Sequence, residues 1–377
     1  MFTKFFEAFK DTTGLLMLCV AILVSGCRRY HYDVVVQDAG EDAARDAGPR
    51  DDGGAGSSGS HMQPCEQTRL AIAKKKVVGG PHADFPVLVA IDAEWLRSSA
   101  EISFAEDAEG DALLAHEIES YDAESGTLRA WVRVPMLRES SVLYLRQCAD
   151  GSSPPSAASV WQHYAGVWHL QDLRDATGGG ADCAAEGQID TVAAKIVDGR
   201  RFGSAGALDA GSRSALDDVF LAGGFVSAWI KADGAGTILE KTRWNLSFSP
   251  DDPGALFFEH SYSGSGGHWT AKLDVTTGDQ WHAVVVQARS GSDDDDEDDA
   301  DRDAPQFFLD GHAYNSGKDQ TKPSGTPDSD AESNLRFGNF DGVIDEVRVS
   351  REPHGAEWFA TEYNNQSDPA GFYELSR

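Results

Sequence analysis

The chain has 377 residues, of which 62 are acidic and 32 are lysine or arginine, so its formal net charge at pH 7 is −30. This balance argues against nucleic acid and against anionic lipid head groups as partners, because both repel an acidic surface. Even without its first 26 residues, the chain keeps about 350 residues, which is enough for two domains of ordinary size.

The N-terminus carries the pattern of an export signal. Lys4 and Lys10 precede an apolar run over residues 14–24, which is too short to span a bilayer and is typical of a signal-peptide core. The run ends in Val24-Ser25-Gly26-Cys27, which is an aliphatic residue, two small residues and a cysteine. This resembles the lipobox of bacterial lipoproteins and implies a signal peptide over residues 1–26 and a lipid anchor, such as palmitate, on Cys27. The alternative is a short membrane anchor in which Cys27 is an ordinary thiol.

The same resemblance implies a location in the cell envelope. Because Arg28 follows the cysteine in place of aspartate, the outer membrane is favoured over the inner membrane. Residues 27–62 are predicted to be an acidic tether without a core of its own, because the stretch from Asp38 to Met62 is rich in Asp, Ala, Gly and Ser and has almost no aliphatic side chains. A flexible coil of this length spans on the order of 30–35 Å.

From residue 63 onward the sequence predicts mostly short strands. Residues 85–91 form a near-continuous apolar run, and residues 127–134 alternate so that Leu128, Ala130, Val132 and Val134 share one face. Many short strands with Gly-rich turns indicate β-sandwiches, in two domains over residues 63–158 and 159–377. The other predicted elements are strands at 141–148, 225–231, 237–241, 255–260, 269–275, 281–288, 307–309 and 343–350, and a helix at about 353–364.

Three cysteines follow Cys27, and an exported protein can pair two of them. Cys65 and Cys148 bracket the first predicted domain, so a disulfide between them is favoured over one between Cys148 and Cys183. Cys183 is then the unpaired thiol. The alternative is that all three cysteines stay reduced.

Two families are recognisable in the predicted strands. The segments 84–89 (DFPVLV), 113–119 (LLAHEIE) and 131–135 (WVRVP) resemble the bacterial family called domain of unknown function 2341. A second set is similar to laminin-G-like, concanavalin A-like domains, and it comprises the segments 159–170, 226–231, 281–282, 309–311, 342–349 and 362–366. The resemblance implies an all-β protein, with an N-terminal β-sandwich-like domain, then a concanavalin A-like jelly-roll sandwich and one short C-terminal helix. Members of the first family usually have aromatic residues near positions 65 and 148, where this chain has cysteines, so a disulfide would replace that packing.

No catalytic motif of the common hydrolases or phosphate-binding enzymes is present. Glycosidases with a concanavalin-like fold use paired carboxylates, but their Glu-x-Asp-x-x-Glu strand does not occur here. Asp345 and Glu346 are adjacent in a predicted strand and would point to opposite faces, so they are interpreted as structural. We therefore expect a protein that is not an enzyme, and a divergent glycoside hydrolase is kept as an alternative.

Binding is the function that the resemblance implies, because laminin-G-like sandwiches bind glycans or proteins through loops at one rim. Trp244, Tyr262, His268 and Trp269 lie in or beside Gly/Ser-rich segments, where aromatic rings can stack on sugar rings. The alternative for Trp244 and Trp269 is that they are ordinary core residues of the sandwich, and this alternative is favoured.

Residues 293–303 contain nine acidic residues and one arginine. Such a run either stays solvated or gathers a hard cation through carboxylate oxygens. A solvated loop is favoured, and Asp294, Asp296 and Asp298 are the candidate ligands if calcium binds. No other cofactor is expected.

Together these patterns predict a surface-anchored lipoprotein that binds a glycan or an extracellular or envelope protein through a lectin-like β-sandwich. The competing interpretation is a structural or accessory module of the envelope. Relatives of the first family occur beside ExbB/TolQ-like transport proteins, which extends that second interpretation to transport systems.

Overall fold

The computed structural model describes residues 65–96, 101–148, 153–203, 205–248, 254–272, 278–288, 304–314 and 321–377. The predicted signal peptide, Cys27, the tether and the acidic run with Asp294, Asp296 and Asp298 lie outside the described residues. The described parts belong to one compact unit, Ser60–Arg377. No helix in these ranges is long and apolar enough to cross a membrane.

The first part of the unit contains six strands, which are β1 (Glu66–Ile72), β2 (His82–Asp92), β3 (Glu101–Ala105), β4 (His116–Asp122), β5 (Thr127–Leu137) and β6 (Val142–Cys148). Strands β2, β5 and β4 form one antiparallel sheet, and β1, β6 and β3 belong to a second. The two sheets share a hydrophobic core, in which Leu128, Ala130, Val132 and Val134 of β5 are all buried, as their alternation predicts.

The second part contributes fourteen strands to one extended, branched sheet. They are β7 (Gly166–Trp168), β8 (Ala184–Glu186), β9 (Ile189–Ala193), β10 (Asp198–Phe202), β11 (Ala207–Gly211), β12 (Phe225–Lys241), β13 (Trp244–Phe248), β14 (Ala255–His260), β15 (Gly267–Lys272), β16 (His282–Gln287), β17 (Gln306–Leu309), β18 (His312–Tyr314), β19 (Leu335–Gly338) and β20 (Phe340–Ser350). A second large hydrophobic core lies within this part. The prediction of a mostly β, sandwich-like protein is therefore confirmed.

Strand β12 is longer than the sequence predicts. Residues 225–231 and 237–241 were expected to be two strands, but they lie in one strand of 17 residues. The pairing register with β20 shifts between Ala232 and Gly236, where the chain bulges. Gly236 has a φ of 141°, and a Cβ there would lie 2.0 Å from the carbonyl oxygen of Asn339. The bulge needs glycine, and this interrupts the hydrophobic alternation by which the sequence marks a strand.

The C-terminus returns to the first part of the unit. Helix α1 (Ala356–Ser367) is followed by β21 (Tyr373–Ser376), which pairs antiparallel with β1. In α1, the Asn365 side chain accepts a hydrogen bond from the Leu88 N–H at 2.7 Å and donates one to the Leu88 carbonyl at 3.0 Å. Strand β2 is at the edge of its sheet, so this amide pairs backbone groups that the sheet itself leaves open.

Helix α1 begins later than the predicted start at Pro353. The Gln287 side chain donates to the His354 carbonyl at 3.0 Å and accepts from the His354 N–H at 2.8 Å. Both backbone groups of His354 are thereby held by a strand side chain, and the helix starts at Ala356 after the extended Gly355. At its other end α1 continues to Ser367, three residues beyond the predicted end.

His354 gives a testable pH dependence. Its ring stacks on Trp358 with centroids 3.9 Å apart, and burial together with the nearby His82 and His163 lowers the pKa of His354 to about 4. The unfolded chain has the ordinary pKa of about 6.5, so it binds more protons than the folded chain between pH 4 and 6.5. Stability should therefore fall as the pH drops through this window, by about 2 kcal/mol at pH 5 from this residue alone.

The check is urea unfolding of the wild type and of His354→Phe at pH 7 and pH 5. The variant keeps a ring on Trp358 but cannot titrate, so it should lose less stability than the wild type between the two pH values. Equal losses in both proteins would contradict the assignment to His354.

The structure joins Cys65 to Cys148 in a disulfide, with their Cα atoms 4.5 Å apart. Cys65 precedes β1 and Cys148 ends β6, and the next residues inward, Glu66 and Gln147, are paired across these two strands. Cys183 is a buried free thiol, so the pairing favoured from the sequence is the one that the structure contains.

Candidate functional site

A groove of about 740 Å³ lies over the outer face of the large sheet. Its base is formed by β12, β13, β14 and β15, with β19 on one side and the segment after residue 320 on the other. The lining is mainly polar and comprises Glu240, Lys241, Thr242, Arg243, Trp244, Asn245, Glu259, His260, Ser261, Gly266, Gly267, His268, Thr321, Asn334 and Arg336.

Five polar side chains cross this groove in a single line, one from each strand. The backbone pairs run from Arg336 to Glu240, from Glu240 to Asn245, from Asn245 to Glu259 and from Glu259 to His268. Directly paired residues of neighbouring strands project from the same face of a sheet. We call these five residues the polar row. With about 4.8 Å between strands, it extends over roughly 19 Å at right angles to them.

Hydrogen bonds orient the centre of the polar row. The Asn245 Nδ2 donates to Oε2 of Glu259 at 2.9 Å, and Nδ1 of His268 lies 3.0 Å from Oε1 of the same carboxylate. The bond from Asn245, followed by that from His268, lowers the pKa of Glu259 below its ordinary value. Glu259 is thus a charged acceptor at neutral pH, and its side chain is 54% exposed.

The residues that alternate with the polar row anchor the base of the groove. Lys241 is almost fully buried, and its Nζ lies 2.9 Å from Asp217 and 2.8 Å from Asp330. The Trp244 Nε1 donates to Asp330 at 2.8 Å. Since the buried ammonium and indole meet the same carboxylate, the ends of β12 and β13 are held in place under the exposed side chains.

The basic groups of the groove have acidic partners. Besides Lys241, Arg243 lies 3.7 Å from Asp328, and Arg336 forms an ion pair with Glu186. Every lysine and arginine among the described lining residues therefore has a carboxylate beside it. A groove of this kind offers donors and acceptors without unpaired positive charge, and it matches an uncharged polar ligand better than an anionic one.

An aromatic ring lies beside the polar row, next to His268 at its end. Phe257 is two residues before Glu259 in β14 and is half-buried. Its ring centroid is 5.2 Å from that of His268. The pair forms an apolar surface beside the hydrogen-bonding groups, which is the combination that sugar rings require.

Of the four residues predicted to bind ligand, the structure places two at the groove. His268 belongs to the polar row, and Trp244 contributes to the base but is 2% exposed. Trp269 is also 2% exposed and packs beside Phe258, with ring centroids 6.1 Å apart. Tyr262 is 9% exposed. The predicted stacking role does not fit Trp244, Tyr262 or Trp269. Strand alternation turns the two Trp rings into the sandwich core, and Tyr262, which lies outside the strands, packs in the same core.

Four residues of the polar row were not predicted from the sequence, namely Glu240, Asn245, Glu259 and Arg336. The available signal was the alternation of β13 and β14, which places Asn245 and Glu259 opposite the buried Trp244, Leu246 and Phe258. Alternation identifies an exposed face but does not show which exposed residues of different strands are aligned. That alignment comes from the strand register.

The fold and the groove define a β-sandwich protein with a polar cleft on a sheet face. No family model matches the chain, and no curated protein matches it. Among solved structures, the chain is similar to domain 4 of an extracellular arabinanase from Geobacillus stearothermophilus, which was solved in complex with arabinotriose. That match has 15% identity and a TM-score of 0.38, and it covers 53% of this chain and 98% of the other.

Two toxin domains give comparable matches. The binding domain of a Paraclostridial mosquitocidal protein has 9% identity and a TM-score of 0.40, covering 54% of this chain and 52% of the other. The binding domain of botulinum neurotoxin DC, solved with rat synaptotagmin II, has 12% identity and a TM-score of 0.41, and the match again covers 54% of this chain and 52% of the other. The matched region spans about half the length of these toxin chains. At such identities the likeness concerns the fold alone.

Proposed function

We propose that this protein binds an extended, uncharged glycan in the groove and does not transform it. The observation that carries the proposal is the polar row, in which planar amide, carboxylate, imidazole and guanidinium groups follow one another over about 19 Å. A polysaccharide presents hydroxyl groups along its edge at comparable intervals. The ring pair of Phe257 and His268 supplies an apolar contact at one end.

The absence of catalysis is part of the proposal. In the polar row, Glu240 and Glu259 are separated by β13, so the row does contain two carboxylates on one face. However, Glu259 is hydrogen-bonded to Asn245 and His268, and its pKa is lowered. A glycosidase needs one carboxylic acid whose pKa is raised, so that it can protonate the leaving oxygen. Glu259 has the opposite environment and does not fit the role of that acid. Glu240 lies two strands away, about 10 Å, which is wider than the roughly 5–5.5 Å between the carboxyl groups of retaining glycosidases.

We also propose that Cys27 carries the lipid that holds this body at the cell envelope. The support is the signal-peptide pattern and the lipobox-like Val24-Ser25-Gly26-Cys27. A labelled palmitate precursor should enter the wild type and not Cys27→Ser in a bacterial host, and equal labelling of both would contradict the anchor.

Substitution of the polar row tests the groove. Purified protein beginning at Arg28 would first be screened against neutral pentose and hexose oligosaccharides, with and without calcium, and the best ligand measured by calorimetry. We expect Glu259→Gln and Asn245→Ala each to weaken binding by about 10- to 100-fold. The first variant removes the charged acceptor, and the second removes the amide that is hydrogen-bonded to that carboxylate.

Glu374→Gln is the matched control, since Glu374 is an exposed residue of β21 in a different sheet. It should bind as the wild type does. If a glycan binds with unchanged affinity to both groove variants, the groove is not the site. If no oligosaccharide binds but an envelope protein is captured, the glycan is the wrong ligand class, and release of free sugar would contradict the non-catalytic assignment.

A further inference from the structure

Away from the groove, a group of charged side chains is buried where the two parts of the unit meet. Glu119 comes from β4, His169 directly follows β7, and Glu346 and Arg348 come from β20. Each of these four residues is less than 9% exposed. They lie beside the buried Trp131 and Trp161, and the Arg348 guanidinium is 4.3 Å from the centroid of the Trp131 ring. We call Glu119, His169 and Glu346 the junction triad.

The ligating atoms of the junction triad converge. One nitrogen or oxygen from each residue can be chosen so that all three lie within 4.8 Å of one another. Nδ1 of His169 is 2.7 Å from Oε1 of Glu346 and 4.0 Å from Oε2 of Glu119. Ligand atoms that share one metal ion at bond lengths of about 2.0–2.2 Å stand about 3–4.4 Å apart. The 4.0 Å between His169 and Glu119 fits this range, and His169 and Glu346 would have to move slightly apart.

Every member of the junction triad is held from behind by another side chain. Oε2 of Glu117 lies 3.3 Å from Nε2 of His169, which leaves Nδ1 facing the two carboxylates. Arg348 donates to Oε2 of Glu346 at 2.9 Å, and the Trp131 Nε1 donates to Oε2 of Glu119 at 2.8 Å. Arg348 thus binds the outer oxygen of Glu346, whereas Trp131 binds the Glu119 oxygen that lies 4.0 Å from His169. A carboxylate behind a histidine, and hydrogen bonds that orient carboxylate ligands, are typical supports of metal sites.

Two buried atoms in this group lack a hydrogen-bond partner, Oε1 of Glu119 and Nε of Arg348. The Glu119 side chain is only 1% exposed, so Oε1 of Glu119 is buried as well as unpaired. Leaving a carboxylate oxygen without water or a partner is costly, and buried polar atoms are nearly always satisfied. Negative groups also outnumber positive ones, because among the described residues the carboxylates of Glu117, Glu119, Glu346 and Glu362 face only Arg348 and the imidazole of His169. The group therefore calls for an additional cation.

We propose that the junction triad binds one divalent transition-metal ion, with Zn²⁺ and Mn²⁺ as the matching ions. One imidazole nitrogen with two carboxylates is a ligand set that these ions accept, whereas Ca²⁺ and Mg²⁺ take oxygen ligands. The ion would join β4 of the first part to the segment after β7 and to β20 of the large sheet. Glu117 would act as a positioning residue that orients His169, and the role of the site would be to stabilise the junction.

The test uses the purified chain without affinity tags, first stripped with a chelator. We expect it to take up one equivalent of Zn²⁺, to melt at a temperature that rises with metal concentration, and to give visible absorption bands when Co²⁺ replaces zinc. Glu119→Gln and His169→Gln should lose this equivalent. Glu117→Gln should keep it with about 10- to 100-fold weaker affinity, as expected for loss of a supporting partner.

His163→Gln is the matched control, because His163 is a partly exposed histidine that contacts Asp84 and Glu352 instead of the junction triad. It should bind zinc as the wild type does. The competing occupant is a proton, since burial raises the pKa of Glu119 to about 7. If the wild type binds no Zn²⁺, Mn²⁺ or Co²⁺, and Glu119→Gln melts at the same or a higher temperature, the proton is the occupant and the proposal is wrong. Zinc binding that survives both Glu119→Gln and His169→Gln would also overturn it, because the metal would then lie elsewhere.

Discussion

Replacement of Arg348 by methionine is expected to lower the free energy of unfolding by about 3–5 kcal/mol. The guanidinium is 2% exposed and bonds to Glu362 at 2.6 Å and to Glu346 at 2.9 Å. It also lies over the rings of Trp131 and Trp161, at 4.3 and 4.9 Å from their centroids. Methionine keeps much of the side-chain volume but leaves the buried Glu362 without its cation and Glu346 with His169 alone. The large effect comes from the cost of burying carboxylates that have lost a cationic partner, more than from the net strength of the ion pairs.

Urea unfolding at pH 7 in the presence of a chelator measures this effect, because the chelator removes any contribution from bound metal. Arg174→Met is the control. Arg174 pairs with Asp172 on the surface, and its side chain is 80% exposed, so its loss should change stability by less than about 0.5 kcal/mol. A loss for Arg348→Met as small as that of the control would show that Glu346 and Glu362 are neutralised in another way.

Removal of the disulfide should have an effect of similar size. Cys65 and Cys148 are 83 residues apart. The chain-entropy relation assigns about 4.5 kcal/mol to a loop of this length, and native disulfides contribute about 2–5 kcal/mol in practice. The bridge restrains the unfolded chain by tying the start of β1 to the end of β6. These two strands form the centre of the sheet that β21 completes, so the pairing of the C-terminal strand β21 with β1 also depends on them.

The variant with both Cys65→Ser and Cys148→Ser should therefore unfold at a lower urea concentration than the wild type, by the equivalent of about 2–5 kcal/mol. Dithiothreitol should lower the stability of the wild type towards that of the double variant and should leave the variant unchanged. Cys183→Ala is the control for loss of a thiol, because Cys183 is buried and unpaired. A wild type whose stability does not respond to reduction would contradict the structural role of the disulfide.

Local patterns in the sequence predicted much of the fold. The alternation of Leu128, Ala130, Val132 and Val134 marked one face of β5, and that face is buried. Strand β14 was predicted with the bounds that the structure has. These successes share a physical reason, since the side-chain period of two is a property of each strand by itself. The helix was predicted with its start three residues early, because the two hydrogen bonds between the Gln287 side chain and the His354 backbone involve a distant strand.

The candidate site was less accessible to sequence analysis. Trp244 and Trp269 were singled out because aromatic residues near Gly/Ser-rich segments suggest sugar contacts, yet both rings are buried. His268 was singled out as well and does lie in the polar row. Its neighbours in space, Glu259 and Asn245, are separated from it by whole strands, and only the register aligns the three. For the two Trp residues the favoured alternative, ordinary packing in the sandwich core, agrees with their burial, which depends on the face that the sheet turns to its core.

The sequence by itself determined the acidic character of the chain, its mostly β structure and which cysteines could bracket a domain. These properties follow from composition, from alternation within single strands and from the positions of a few residues. The tertiary structure alone decided that β21 pairs with β1, that five strands align the polar row, and that Glu119, His169 and Glu346 meet at one point. Such contacts join residues far apart in the chain, and their partners depend on strand register and on the packing of whole sheets, which no local pattern encodes.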